Sequence, residues 1–111
     1  MEAPRLKAGI WVAAALRLGH ASGKPGMLLR KGDADAGGVL VVLRGRGGNM
    51  VLSQFRDTHG EPAWMRATGP TPVDEQATEH YVKKQLSYDS DLWVIEFEAA
   101  DYLPPFEGKL V

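Results

Sequence analysis

The chain of 111 residues contains no cysteine, so a disulfide framework, thiolate zinc sites, cysteine catalysis and iron–sulfur ligation are excluded by composition alone. That absence fits a reducing compartment. Long apolar runs are missing too. The longest, Ile10 to Leu16, falls far short of the roughly 20 residues that cross a membrane, and no membrane partner is expected. Preceded by Arg5 and Lys7 and followed by Gly19-His20-Ala21, that run has the outline of a signal peptide. Arg17 directly after it and Trp11 within it fit an amphipathic helix better, and the expected location is the cytoplasm. Histidine is scarce: His20, His59 and His80 are spaced as neither HxH nor HExxH. No preassembled metal site follows, and no cofactor is expected.

Net charge is nearly absent as well, at −1, but it is unevenly distributed along the chain. Met1 to Arg56 carries nine Lys/Arg against three Asp/Glu, and Asp57 to Val111 four against eleven, so the halves stand at +6 and −7. The simplest consequence is that oppositely charged halves pack side by side in one domain. The alternative is a basic face of Arg30, Lys31, Arg44, Arg46 and Arg56 that binds nucleic acid or another anion.

Gly and Pro supply 13 and 7 residues without any repeat, which reads as many turns. Gly9 to about Leu18 has helical spacing and three successive Ala residues; it ends near Gly19 to Gly23, before Pro25. Met27 to Arg30 and Val39 to Leu43 read as two paired strands around a glycine-rich turn in which Gly32, Gly37 and Gly38 take positive φ. Met50 to Phe55 and Ala63 to Ala67 continue the antiparallel series. Thr71-Pro72-Val73-Asp74 opens a second helix with Thr71 as the cap, and Leu92 to Glu98 is a strand apolar on both faces, hence central. The expected architecture is one α+β domain in the order α-β-β-β-β-α-β. It has a mostly antiparallel sheet of about five strands with both helices on one side. The core spans about 6–98, and 99–111 form an irregular tail.

Motifs that could carry chemistry are weak. Asp33-Ala34-Asp35 starts like a calcium loop, yet Gly37 and Arg44 stand where further ligands are required, so the aspartates are expected to bond turn N–H groups. Asp89-Ser90-Asp91 reads as a helix stop. Asp57, His59 and Glu61 share one turn, but exposed groups lack the burial that tunes catalytic acids and bases. Gly45-Arg46-Gly47-Gly48 lacks the Lys-Ser or Lys-Thr of a phosphate loop, and a single Arg-Gly-Gly triplet is no RNA-binding tract.

A sharper feature is the third hairpin, where Gln54, Arg56, Trp64 and Arg66 occupy alternate positions. Facing outward, two guanidinium groups and an indole make an anion- or partner-binding patch. A one-residue slip instead puts Phe55 beside Trp64 in an aromatic core pair.

The set Arg30-Lys31-Gly32-Asp33-Ala34-Asp35-Ala36-Gly37, Ser53-Gln54, Arg56-Asp57, Trp64 to Gly69, Asp74-Glu75 and Asp89 to Glu96 resembles a family of short bacterial proteins called domain of unknown function fourteen-ninety-one. The resemblance runs from about Leu6 to Glu98; Ser90, where the family pattern has proline, and the long tail depart from it. It implies a small bacterial cytoplasmic protein and brings no catalytic residue. The candidate binding patch is Arg30, Asp33, Asp35, Gln54, Arg56, Asp57, Trp64 and Arg66. The leading expectation is a non-enzymatic interaction or ligand-binding module that takes a protein partner or a small anionic ligand, with homodimerisation an option. Nucleic-acid association through the basic half stands second, and a small enzyme using carboxylates such as Asp33 and Asp57 third.

Overall fold

The computed structural model describes residues 6–111, so Arg5 of the signal-peptide reading lies outside the described residues. The elements are α1 (Ala8–Ala21), β1 (Gly26–Arg30), β2 (Val39–Gly45), β3 (Gly48–Arg56), β4 (Pro62–Arg66), α2 (Glu75–Tyr88), β5 (Trp93–Glu98) and β6 (Lys109–Leu110). No helix among the described residues is long and apolar enough to cross a membrane.

The strands form one six-stranded sheet in the order β1-β5-β2-β3-β4-β6. β5 is central, as its apolar faces require, and it separates β1 from β2, which were expected to pair with each other. The sheet is therefore mixed. β1–β5, β2–β3 and β3–β4 are antiparallel, whereas β2–β5 and β4–β6 are parallel. The β1–β2 hairpin fails for a local reason: the connecting segment is held elsewhere. Asp33 N–H donates to the Asp91 carbonyl, while Ala34 and Asp35 carbonyls accept from Gly9 and Ala8, two free N–H groups at the start of α1. Lys7, at the cap position, makes no side-chain cap bond, so the turn does that work.

The helices lie on opposite faces of the sheet, not on one. Alternation sends Val39, Val41, Leu43, Ile95, Phe97 and Leu52 toward Val12 and Ala15 of α1, and Leu40, Val42, Val51 and Val94 toward Tyr81 and Val82 of α2. Val39 to Leu43 is buried on both faces, which explains why that run is continuously apolar. Each large side chain buried here contributes roughly 1.5–3 kcal/mol.

Other local expectations change for equally physical reasons. Val73 forms a bridge with Asn49 through both backbone bonds, which delays α2; its cap is Asp74, accepting from Ala77 N–H at 2.8 Å, and not Thr71. Gly32, Gly37 and Gly38 do not take positive φ. Gly32 and Gly37 are glycine because a Cβ would lie 2.2 and 2.4 Å from the Asp91 carbonyl oxygen. At Gly48 both demands meet: φ is 123° where β3 leaves the hairpin turn, and a Cβ would lie 2.5 Å from the Val73 carbonyl oxygen. The segment 99–111, expected to be irregular, returns to the sheet: Phe106 is buried in the α1-side core and Lys109–Leu110 pair with β4.

The halves of opposite charge do meet. Arg44 on β2 bonds Glu96 of β5 and Glu75 of α2, and Lys24 bonds Asp101 at 2.9 Å. Glu75, helped by Glu96, holds the Arg44 guanidinium charged, raising its pKa against the cost of partial burial.

Candidate functional site

β3 and β4 pair so that Gln54 lies opposite Trp64, and Arg56 opposite Pro62. Gln54, Arg56, Trp64 and Arg66 therefore share one face, the face that carries α1. Phe55 pairs laterally with Ala63 on the other face and is not beside Trp64. Trp64 is nonetheless buried, at 3% exposure. Its indole lies 5.5 Å from that of Trp11 and 5.1 Å from the Phe106 ring, and Trp11 meets Phe106 edge-on at 5.0 Å. Such tilted and edge-on pairs suit the ring quadrupoles. A helix, a strand and the C-terminal segment are thus joined through one aromatic cluster.

Beside this cluster a cleft of about 500 Å³ opens between the start of α1, the turn after β1, the β3–β4 hairpin and the C-terminal segment. Half-buried Trp11 supplies aromatic surface with the buried Trp64 behind it, and Asp35, Gln54, Arg56 and Glu107 supply polar groups around it. Gly108 belongs to the wall because it crosses the Trp64 indole, where a Cβ would lie 2.8 Å from the ring. Gln54 and Arg56 are exposed, with Arg56 donating to the Gly60 carbonyl of its own hairpin. Asp35 is exposed as well, with Lys7 3.6 Å away.

Four of the eight candidate residues, Asp35, Gln54, Arg56 and Trp64, thus line one cleft. The other four lie elsewhere. Arg30 donates to the Ser90 and Leu92 carbonyls on the far side of the sheet, at 3.0 and 3.2 Å. The Asp33 carboxylate accepts from Asp35 and Ala36 N–H, and its carbonyl accepts the Trp93 indole N–H at 2.7 Å, so this residue organises the turn. Asp57 accepts from His59 and Glu61 N–H and pairs with Lys109 at 3.2 Å. The Glu61 N–H, with Lys109 and His59, holds its carboxyl below the ordinary value, the opposite of what a general base at neutral pH needs. Arg66 sits opposite Leu52 and outside the cleft. Trp11, Glu107 and Gly108 are wall residues that sequence reasoning missed. Trp11 reads as core, and no periodicity marks the tail.

Arg44 and Arg56 point to opposite faces of the sheet, Arg44 with Leu40 and Val42 and Arg56 with Leu52. Arg30, Lys31, Arg44, Arg46 and Arg56 therefore do not form a single face.

Comparison with known proteins follows the same architecture. The sequence matches the family described as Protein of unknown function (DUF1491) over residues 6–107. A crystal structure of a DUF1491 family protein from Caulobacter crescentus CB15 is similar with a TM-score of 0.85 and 31% identity, covering 96% of this chain and all of the other. An NMR structure of a DUF1491 family protein from the same organism gives 0.84 and 30%, covering 98% and 99%. The solution structure of protein Atu0922 from A. tumefaciens shares the fold with a TM-score of 0.78 at 23% identity, covering 96% and 98%. No curated protein matches the chain.

Proposed function

The chain belongs to the DUF1491 family, and we propose that it is a non-enzymatic binding module whose cleft takes a protein segment or small molecule carrying an apolar group beside a carboxylate. The observation that supports this is the meeting of Trp11 and Trp64 with Gln54 and Arg56 in one cleft. Rings offer a large apolar contact at low entropic cost, and a guanidinium suits a planar carboxylate through paired N–H groups. Asp35 and Glu107 on the same rim repel a bare polyanion, which makes this surface a poor phosphate-backbone track. The Asp33 and Asp57 carboxylates are both engaged by turn N–H groups, which disfavours these two as an acid–base pair.

The test is an NMR titration of the labelled chain with three probe sets: aryl and branched alkyl carboxylates, the matching amines, and inorganic phosphate. Shifts at the Trp11 and Trp64 indoles and the Arg56 side chain, for the apolar carboxylates only and lost in Arg56→Ala, are the expected result. No perturbation by any apolar carboxylate, or one that Arg56→Ala leaves intact, overturns it.

A further inference from the structure

The two edges of the sheet are built differently. β6 is two residues long and carries Lys109, so it offers little for another strand to pair with. β1 is five residues long, ends the sheet on its own side, and presents Met27, Leu28 and Leu29 in succession at 56%, 42% and 44% exposure. No charge and no proline interrupts Gly26 to Leu29. Natural edge strands usually carry such interruptions because unpaired N–H and C=O groups invite another strand.

The pairing groups on this edge can be located. The Pro25 carbonyl accepts from Glu98 N–H at 3.0 Å and so points inward to β5. By antiparallel alternation Met27 also points inward, and Gly26 and Leu28 turn their N–H and C=O groups outward. The irregularity between Leu28 and Arg30 ends the regular ladder there, so main-chain pairing alone is short. Apolar surface extends it. α2 lies against β3 and leaves open a groove of about 510 Å³, which Leu29, Val82, Leu86 and Val94 line beside the same edge.

Charge decides what fits this edge. Any two-fold pairing of β1 with itself must be antiparallel, which sets the end of one strand against the start of the other. The end carries Arg30 and the exposed Lys31; the start is flanked by the exposed Glu98. The Lys31 end also carries the exposed Asp33 and Asp91, and Lys24 beside the start is paired with Asp101; an antiparallel second copy brings Lys31 of each copy toward Glu98 of the other.

We propose that β1 is the self-association edge of this chain, joining two copies through antiparallel β1 strands. Met27 and Leu29 of both copies lie near the two-fold axis, and Lys31 of each copy lies toward the Glu98 end of the other. The cleft around Trp64 lies at the other end of each sheet and stays open.

Sedimentation equilibrium of the full chain, together with amide exchange at several concentrations, tests this. The expected result is a dimer at about 10–100 μM in which Gly26 and Leu28 amides become protected as concentration rises. Met27→Lys, at an exposed position, gives a folded monomer by circular dichroism. Lys31→Glu and Glu98→Lys each weaken association by about tenfold or more, and the double reversal restores it. A chain that stays monomeric at about 1 mM overturns the proposal. So does a dimer unaffected by Met27→Lys, since the copies would then meet elsewhere, and so does failure of the double reversal to rescue, since the strands would not be antiparallel.

Discussion

The ring of Tyr102 fills the space that any side chain at Gly45 would need, since a Cβ there would lie 2.5 Å from its hydroxyl oxygen. That hydroxyl accepts from Gly47 N–H in the turn and donates to the Gly48 carbonyl at the start of β3, both at 3.1 Å. Tyr102 reaches this position with a φ of 54°, in the left-handed region that non-glycine residues seldom adopt. A phenol at the start of the C-terminal segment therefore locks a hairpin more than 50 residues earlier.

Gly45→Ala is expected to cost about 1–3 kcal/mol through overpacking against this ring. The same substitution in a Tyr102→Ala background is expected to cost clearly less, with a coupling of about 0.5–3 kcal/mol. Urea denaturation of the four variants checks this, and strict additivity would show that the ring does not set the demand for glycine.

Gly32 and Gly38 flank one turn but differ in what surrounds them. A Cβ at Gly32 meets the Asp91 carbonyl oxygen at 2.2 Å and the Trp93 ring at 2.6 Å, whereas at Gly38 it meets only the end of the Leu92 side chain at 3.1 Å. Gly32→Ala is expected to lower stability by about 1–3 kcal/mol and Gly38→Ala by less than about 1 kcal/mol. The measurement is the urea midpoint at unchanged slope.

Three carboxyl groups are held below their ordinary values of 3.8 for aspartate and 4.5 for glutamate: Asp57 by the Glu61 N–H, Glu75 by Arg44, and Asp101 by Lys24. A carboxyl depressed in the folded state stabilises fully above its unfolded pKa, and that stability disappears as pH falls through the folded pKa. Tm is accordingly expected to be level above about pH 5 and to fall progressively in more acid solution. Glu75→Gln, combined with Asp101→Asn, is expected to lower Tm at neutral pH and to flatten the acid slope. Thermal scans by circular dichroism from neutral to acid pH read both.

Periodicity carried much of this fold into the sequence. The apolar faces of Val39–Leu43 and of Leu92–Glu98 marked two strands, and the second was recognisable as central because both its faces are apolar. What alternation does not encode is which strand lies beside which. Met27–Arg30 and Val39–Leu43 are neighbours in the chain, yet the turn between them spends its N–H and C=O groups on Asp91 and α1, and β5 enters between them. A two-residue strand such as Lys109–Leu110 is too short to show any period. Likewise a glycine required by crowding, as at Gly32, looks the same in sequence as one required by a positive φ in open space, as at Gly60.

For the site, the shared face of Gln54, Arg56, Trp64 and Arg66 followed from their spacing, but its covering did not. Trp11 and Phe106 come from opposite ends of the chain, and no local pattern announces that they meet over Trp64. Asp35 reaches the same cleft only because its turn is docked on the start of α1.

The insertion of β5 between β1 and β2 also sets an order of events as the chain is made. Val39 pairs with Trp93 and Gly26 with Phe97, so β1 has no strand to join until synthesis has passed roughly Glu98. Until then α1 and β1 are tethered to a β2–β3–β4 meander that can form on its own antiparallel bonds but lacks Trp93, Val94, Ile95 and Phe97 of its core. Closure of the sheet is thus a late, long-range event. Between the synthesis of Gly45 and that of Trp93, a nascent chain of this protein carries a β2 edge with no β5 to pair with.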